Sequence, residues 1–116
     1  MKTVLEYPNT GFEREIKSAV EPVLVHFYTS WCGQCQILAP SLARLARELE
    51  AELEVAEVNL DHNPELAGRY GVFTVPTLIL FHNGVPIDRF EGSPSVQELK
   101  ARLQGVLADY AAERGV

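Results

Sequence analysis

The chain has 116 residues, 47% of them hydrophobic and 22% charged, with a net charge of −6 at pH 7. That length closes one core and is too short for two, and the composition is globular rather than disordered. An acidic chain repels phosphate backbones and anionic lipid, so neither nucleic-acid nor membrane-surface binding is expected.

The first residues, Met1 to Pro8, hold an apolar run far too short for a signal-peptide core. Apolar stretches elsewhere reach about five residues, well below a membrane span. A cytoplasmic protein is expected, and residues 1–116 are expected to form one domain with its core at about 3–110.

Residues 3–7 suggest a short strand, and 9–19 a short helix with Glu13 and Lys17 spaced to pair on its surface. Val23 to Tyr28 is nearly all apolar and β-prone, which predicts a central strand buried on both faces. From Thr29 to Cys35 the chain changes character, then a helical pattern runs to about Glu50. Leu38, Leu42, Leu45 and Leu49 share one face of it, and Pro40 inside it predicts a kink. Leu53 to Asn59 is a strand, and Asn63-Pro64 matches a helix cap followed by proline, opening a helix to about Tyr70.

Thr77 to Phe81 is the next strand. Asn83-Gly84 is a hairpin signal, with Val85 to Glu91 running back antiparallel. Ser95 caps a last helix whose buried stripe is Val96, Leu99, Leu103, Val106, Leu107 and Tyr110; Ala111 to Val116 is expected to fray. The order β-α-β-α-β-α-β-β-α predicts parallel crossovers first and an antiparallel hairpin last, hence a mixed sheet with helices on both faces.

The two cysteines, Cys32 and Cys35, are three residues apart. A disulfide closing so short a loop adds little stability, so reactivity is the better reason for the pair. The attacking species in disulfide exchange is a thiolate, and its pKa must fall for it to exist at neutral pH. Cys32 stands between a buried strand and a helix, where unpaired N–H groups and the helix dipole favour negative charge. Cys35 falls on the same face and is expected to be the more buried, staying protonated until it resolves a mixed disulfide. Two thiols fall short of the four ligands zinc takes, His62 and His82 have no ligand spacing, and Gln36 instead of His excludes haem attachment. No metal is expected.

Trp31-Cys32-Gly33-Gln34-Cys35 resembles the Trp-Cys-Gly-Pro-Cys signature of the thioredoxin family. The likeness runs over roughly residues 5–110 and includes Phe27, Pro40, Asp61-His62-Asn63-Pro64, Val75-Pro76-Thr77, Asn83-Gly84 and Gly92. It implies an α/β thioredoxin-like fold, with a central mixed sheet of about five strands flanked by helices on both faces. It also implies reduction of protein disulfides and recycling by a thioredoxin reductase. NADPH would enter only through that reductase, with no bound cofactor. A cis Pro76 facing the cysteines is implied too, leaving the Val75 backbone to pair with an extended substrate; from the residues alone a trans proline would be the expectation. Trp31, Gly33, Gln34, Val75, Pro76 and Gly92 are the expected substrate-binding residues.

Three departures stand out. Gln34 replaces the family proline, which puts the direction of electron flow in question. His26 stands where the family has a buried Asp, and Glu57 where it has Lys; Glu57 shares a strand face with Leu53 and Val55. A buried carboxylate needs a partner, and His26 is the expected one. His26 is then a candidate acceptor for the Cys35 proton, with a satisfied core pair as the alternative. Thr74, Phe73 and Glu91 depart from the small apolar docking patch of the family. Two other functions remain open: an oxidising or isomerising exchange module, and a non-catalytic binding subunit. The polar helix faces predict a monomer.

Overall fold

A computed structural model describes residues 4–7, 11–92 and 94–113. Five strands and four helices follow in the expected order: β1 (Leu5–Glu6), α1 (Phe12–Ser18), β2 (Val23–Tyr28), α2 (Gly33–Glu48), β3 (Glu54–Asn59), α3 (Glu65–Tyr70), β4 (Thr77–His82), β5 (Val85–Glu91) and α4 (Val96–Glu113). The strands form one sheet in the order β1-β3-β2-β4-β5. β1 and β2 flank β3 in parallel; β4 runs antiparallel to β2, and β5 antiparallel to β4.

The sheet separates two apolar layers. Phe12 and Ile16 of α1 and Leu66 of α3 pack against Val25, Phe27, Val58 and Phe81 on one face. Leu38, Leu42 and Leu45 of α2 and Leu99 and Leu103 of α4 pack against Leu24, Val55 and Leu78 on the other. β2 lies at the centre and contributes alternate residues to both layers, which is why its sequence is almost continuously apolar.

Several local expectations shift. α1 begins at Phe12; residues 9 and 10 of the expected helix, and Thr3 of the expected first strand, lie outside the described residues. Glu13 pairs with Arg69 of α3 rather than with Lys17, so its ion pair joins two helices instead of stapling one. Pro40 lies inside α2, as the sequence placed it. α3 takes Pro64 as its N-cap, one residue later than expected, and Asn63 O accepts from Leu66 N at 3.2 Å. α4 continues through Ala111 to Glu113 instead of fraying there, and residues 114–116 lie outside the described residues.

Ser95 caps α4 as expected, its Oγ accepting from Glu98 N at 3.1 Å. Asn83 and Gly84 both take positive φ, 55° and 82°, the conformation of a two-residue hairpin turn matched to strand twist. Among the described residues, no helix is long and apolar enough to cross a membrane. The edge strand β5 carries Pro86, Asp88, Arg89 and Glu91, which discourage pairing with another chain.

Candidate functional site

The parallel pair β2 and β3 ends where β2 passes into the loop 29–31, and α2 starts immediately after it. Cys32 is the N-cap of α2, in extended conformation. Its Sγ accepts a hydrogen bond from Cys35 N at 3.1 Å, and its carbonyl accepts from Gln36 N at 3.3 Å. Cys32 and Cys35 are joined in a disulfide, with Cα atoms 5.3 Å apart. Both cysteines are buried, Cys35 the more deeply, at 3% exposure against 6%. The Cys35 N–H already aimed at Cys32 sulfur, and the positive end of a 16-residue helix, are what a Cys32 thiolate requires.

The loop before Cys32 is tied to the turn after β3. Asp61 Oδ2 accepts from Ser30 N at 3.0 Å and Ser30 Oγ at 2.6 Å, and the carboxylate also bonds the Trp31 side chain. These bonds hold the Asp61 carboxyl below the ordinary carboxylate range. Trp31 itself is 74% exposed.

The Val75–Pro76 bond is cis. Thr77 pairs with Phe27, so β4 brings Pro76 to the end of the sheet from which the 29–31 loop and Cys32 emerge. Gly92, at φ 85°, closes the same end from β5, its N–H donating to Pro76 O at 3.3 Å. Gly33 and Gln34 are exposed on the first turn of α2. Thr74 Oγ1 donates to Glu91 Oε2 at 3.3 Å, fixing a polar rim beside Pro76. Phe73 is 85% and Ile37 74% exposed, so neither belongs to the core. Ile37 escaped the sequence reading because a lone apolar residue on a helix carries no signal.

Behind Cys35 lies a cavity of about 170 Å³, lined by His26, Tyr28, Cys35, Gln36, Ala39 and Glu57 among others. It joins His26 and Glu57 to Cys35. His26 and Glu57 are register partners on adjacent strands, the adjacency that the family resemblance implied. Their expected pairing is not formed. Both ring nitrogens of His26 are buried and lack a hydrogen-bond partner. Burial alone pulls the imidazole down from 6.5 to about 4, leaving it neutral and a weak base near pH 7.

The partner of Glu57 is instead Glu6 of β1, its register neighbour on the other side. Burial first, then the hydrogen bond and negative charge of Glu6, push the Glu57 carboxyl up from 4.5 to about 7. Tyr28 OH donates to Glu6 Oε1 at 3.0 Å. Its phenol is pushed up to about 12, chiefly by burial and that bond. Glu6 and Tyr28 were missed because the relevant signal is the β1–β3 pairing, which two residues of strand do not announce. Elsewhere, His82 Nδ1 lies 2.7 Å from Tyr110 OH. Among the described residues, no three His, Cys, Asp or Glu side chains converge to hold a metal.

A family model described as Thioredoxin matches residues 3–105 of this chain. The chain is 37% identical to a thioredoxin of Mycobacterium tuberculosis over 103 residues, covering 89% of both proteins. It is 40% identical to a thioredoxin of Alicyclobacillus acidocaldarius over 99 residues, 85% of this chain and 93% of that relative. It is also 37% identical over 103 residues to a bifunctional thioredoxin reductase/thioredoxin of Mycobacterium leprae, covering 89% of this chain and 22% of that one.

Proposed function

The chain belongs to the thioredoxin family and is a thiol–disulfide oxidoreductase, and from that premise we propose how its residues divide the work. The observation that carries the reading is Cys32 at the N-terminus of α2, with the Cys35 N–H on its sulfur. The activation of a Cys-x-x-Cys thiol by such an environment is well known in thioredoxin itself.

Cys32 thiolate attacks a disulfide sulfur of a bound protein. A Cys32–substrate disulfide forms, and the other substrate sulfur leaves as a thiolate that takes a proton from water. Cys35, once deprotonated, attacks Cys32 sulfur; the Cys32–Cys35 bond forms and the second substrate sulfur departs. The substrate gains two electrons and the cysteine pair is oxidised. The dithiol carries both electrons, so the exchange itself calls for no bound cofactor. A separate reductase, fed by NADPH, restores the dithiol; the fusion of the two activities in the M. leprae relative's name supports such a partner.

The substrate docks across Trp31, Gly33 and Gln34 on one side and Val75, Pro76 and Gly92 on the other. Their common placement at one end of the sheet supports this. The Val75 backbone, next to Pro76, is positioned for an extended segment. A monomer working as a reductant in the cytoplasm fits the charged β5 edge and the reducing setting in which such dithiols serve.

The test is a Cys35→Ser variant incubated with a disulfide-containing protein. A stable, stoichiometric mixed disulfide through Cys32 is expected, with none in Cys32→Ser. Trapping through neither cysteine would refute the assignment and favour a binding subunit.

A further inference from the structure

The registers Glu6↔Glu57 and His26↔Glu57 set three side chains abreast across β1, β3 and β2, on the face that looks toward α2. Neighbouring strands lie about 4.8 Å apart, so such a row permits direct side-chain contact. The contact made is between the two carboxyls, and the imidazole is left out of it. Tyr28, two residues beyond His26 on the same face, reaches across β3 and fixes Glu6 through its hydroxyl. The Asn59 side chain in turn bonds that hydroxyl. Glu57 opens into the cavity that Cys35 lines, whereas Glu6 sits on the exposed edge strand. The row therefore connects the resolving thiol to solvent. The cavity of about 170 Å³ has room for bridging water.

We propose that Glu57 and Glu6 form a proton-sharing carboxyl pair: Glu57 accepts the Cys35 proton during resolution, and Glu6 is the positioning residue that tunes it and hands the proton to solvent. This rests on the thiol–disulfide exchange reading above. In the step, the Cys35 S–H bond breaks and its proton passes to the Glu57 carboxylate, where Glu6 accepts a hydrogen bond from the new acid. The Cys35 thiolate forms the bond to Cys32 sulfur, and the Cys32–substrate bond breaks with its electron pair on the departing sulfur. The proton then leaves by way of Glu6, restoring the ionised pair.

The groups facing Glu57 define its titration. They are Glu6 from β1, His26 and Tyr28 from β2, Asn59 on its own strand, and Cys35, Gln36 and Ala39 from α2. Burial first, then the hydrogen bond and negative charge of Glu6, raise Glu57 to about 7. Below that value Glu57 already holds a proton and accepts no other, so resolution accelerates as pH rises through it. His26 is too weak a base to replace it.

The experiment mixes reduced protein with excess hydroxyethyl disulfide in a stopped flow and follows Trp31 fluorescence from pH 5.5 to 9. Attack by Cys32 depends on disulfide concentration; resolution by Cys35 does not. In the wild type, the concentration-independent phase is expected to rise with a midpoint near 7. Glu57→Gln loses that midpoint and slows the phase by about a hundredfold at pH 7.5. Glu6→Gln keeps the phase but moves its midpoint about one pH unit or more toward acid. Unmoved midpoints in both variants overturn the proposal, as does a midpoint erased by His26→Leu and kept by Glu57→Gln. Absence of the concentration-dependent phase in the wild type would instead sink the exchange reading.

Infrared titration of the oxidised protein supplies a readout free of turnover. A carboxylic-acid band disappearing near pH 7 is expected in the wild type, absent in Glu57→Gln and shifted to lower pH in Glu6→Gln. A wild-type band that vanishes in the ordinary carboxylate range refutes the pair.

Discussion

Asp61 reaches back 31 residues to hold Ser30, its Oδ2 accepting from the Ser30 backbone at 3.0 Å and from the hydroxyl at 2.6 Å. The same carboxylate bonds the Trp31 side chain. One exposed acid thus fixes the loop that delivers Cys32, through a turn at the end of the neighbouring strand. Asp61→Ala is expected to raise KM for a protein disulfide by roughly three- to tenfold, with kcat changed less, because it frees the docking loop without touching the thiols. Steady-state kinetics with a disulfide-containing protein substrate decides this; an equal fall in kcat would mean the loop acts on the chemistry.

His26 ties stability to pH. The folded protein holds its imidazole at about 4, against 6.5 in the unfolded chain. Between those values the unfolded chain binds a proton that the folded one refuses, so stability falls as pH drops through that window. The full loss is about 3 kcal/mol. Glu57 has the opposite sign. Its folded value of about 7 lies above the ordinary 4.5, so its contribution is present below 4.5 and is lost as pH rises through 7. His26→Leu should therefore remove the acid-side loss and leave stability declining with rising pH. At pH 7 it should be neutral or stabilising by about 1 kcal/mol, since two unpartnered ring nitrogens leave the core. Urea unfolding between pH 4 and 8 measures both, and an unchanged acid slope would show that another group governs it.

Gln34 is expected to retune the redox pair. It occupies the first turn of α2, whose leading backbone N–H groups have no intrahelical acceptor, beside the Cys35 N–H that donates to Cys32 Sγ. Proline at that position removes one of them. The Cys32 thiolate loses stabilisation, the reduced form becomes the less favoured, and the potential moves in the reducing direction. One such bond corresponds to about 20 mV. Equilibration of the wild type and Gln34→Pro against a glutathione series gives the shift. A wild-type potential far toward the oxidising end would favour the isomerase-like alternative.

Phe73, two residues before Val75, and Ile37, two residues after Cys35, stand exposed outside both core layers. Phe73→Ala should weaken reduction of protein disulfides several-fold and leave that of a small disulfide unchanged, because only a protein substrate covers the patch. Comparable losses with both substrates would place Phe73 in the chemistry or the fold instead.

Most of the fold is legible in the sequence because its strongest elements have unambiguous periods. β2 reads as an unbroken apolar strand because both faces are covered, and α2 reads from its leucine stripe. Asn83-Gly84 announces its turn, since both residues must take positive φ. Boundaries shift where local chemistry yields to tertiary contact. Ala111 to Glu113 stay helical, and Tyr110 beside them meets His82 of β4. Glu13 leaves its helix neighbour for Arg69 of α3 because the two helices pack on the same face of the sheet.

By itself, the sequence determined the cysteine spacing, the strand-to-helix junction at which Cys32 stands, and the family. These depend on short-range order, which covalent connectivity fixes. It also identified His26 and Glu57 as an unusual couple behind the thiols. Only the tertiary structure decided which group partners which. Glu57 has a neighbour on each side, His26 on β2 and Glu6 on β1, 51 residues earlier. Attraction between opposite charges favours the histidine on paper, yet burial keeps the imidazole neutral, and the carboxylic acid finds its acceptor on the exposed edge strand. That choice follows from desolvation and strand order, neither of which is written in residue spacing.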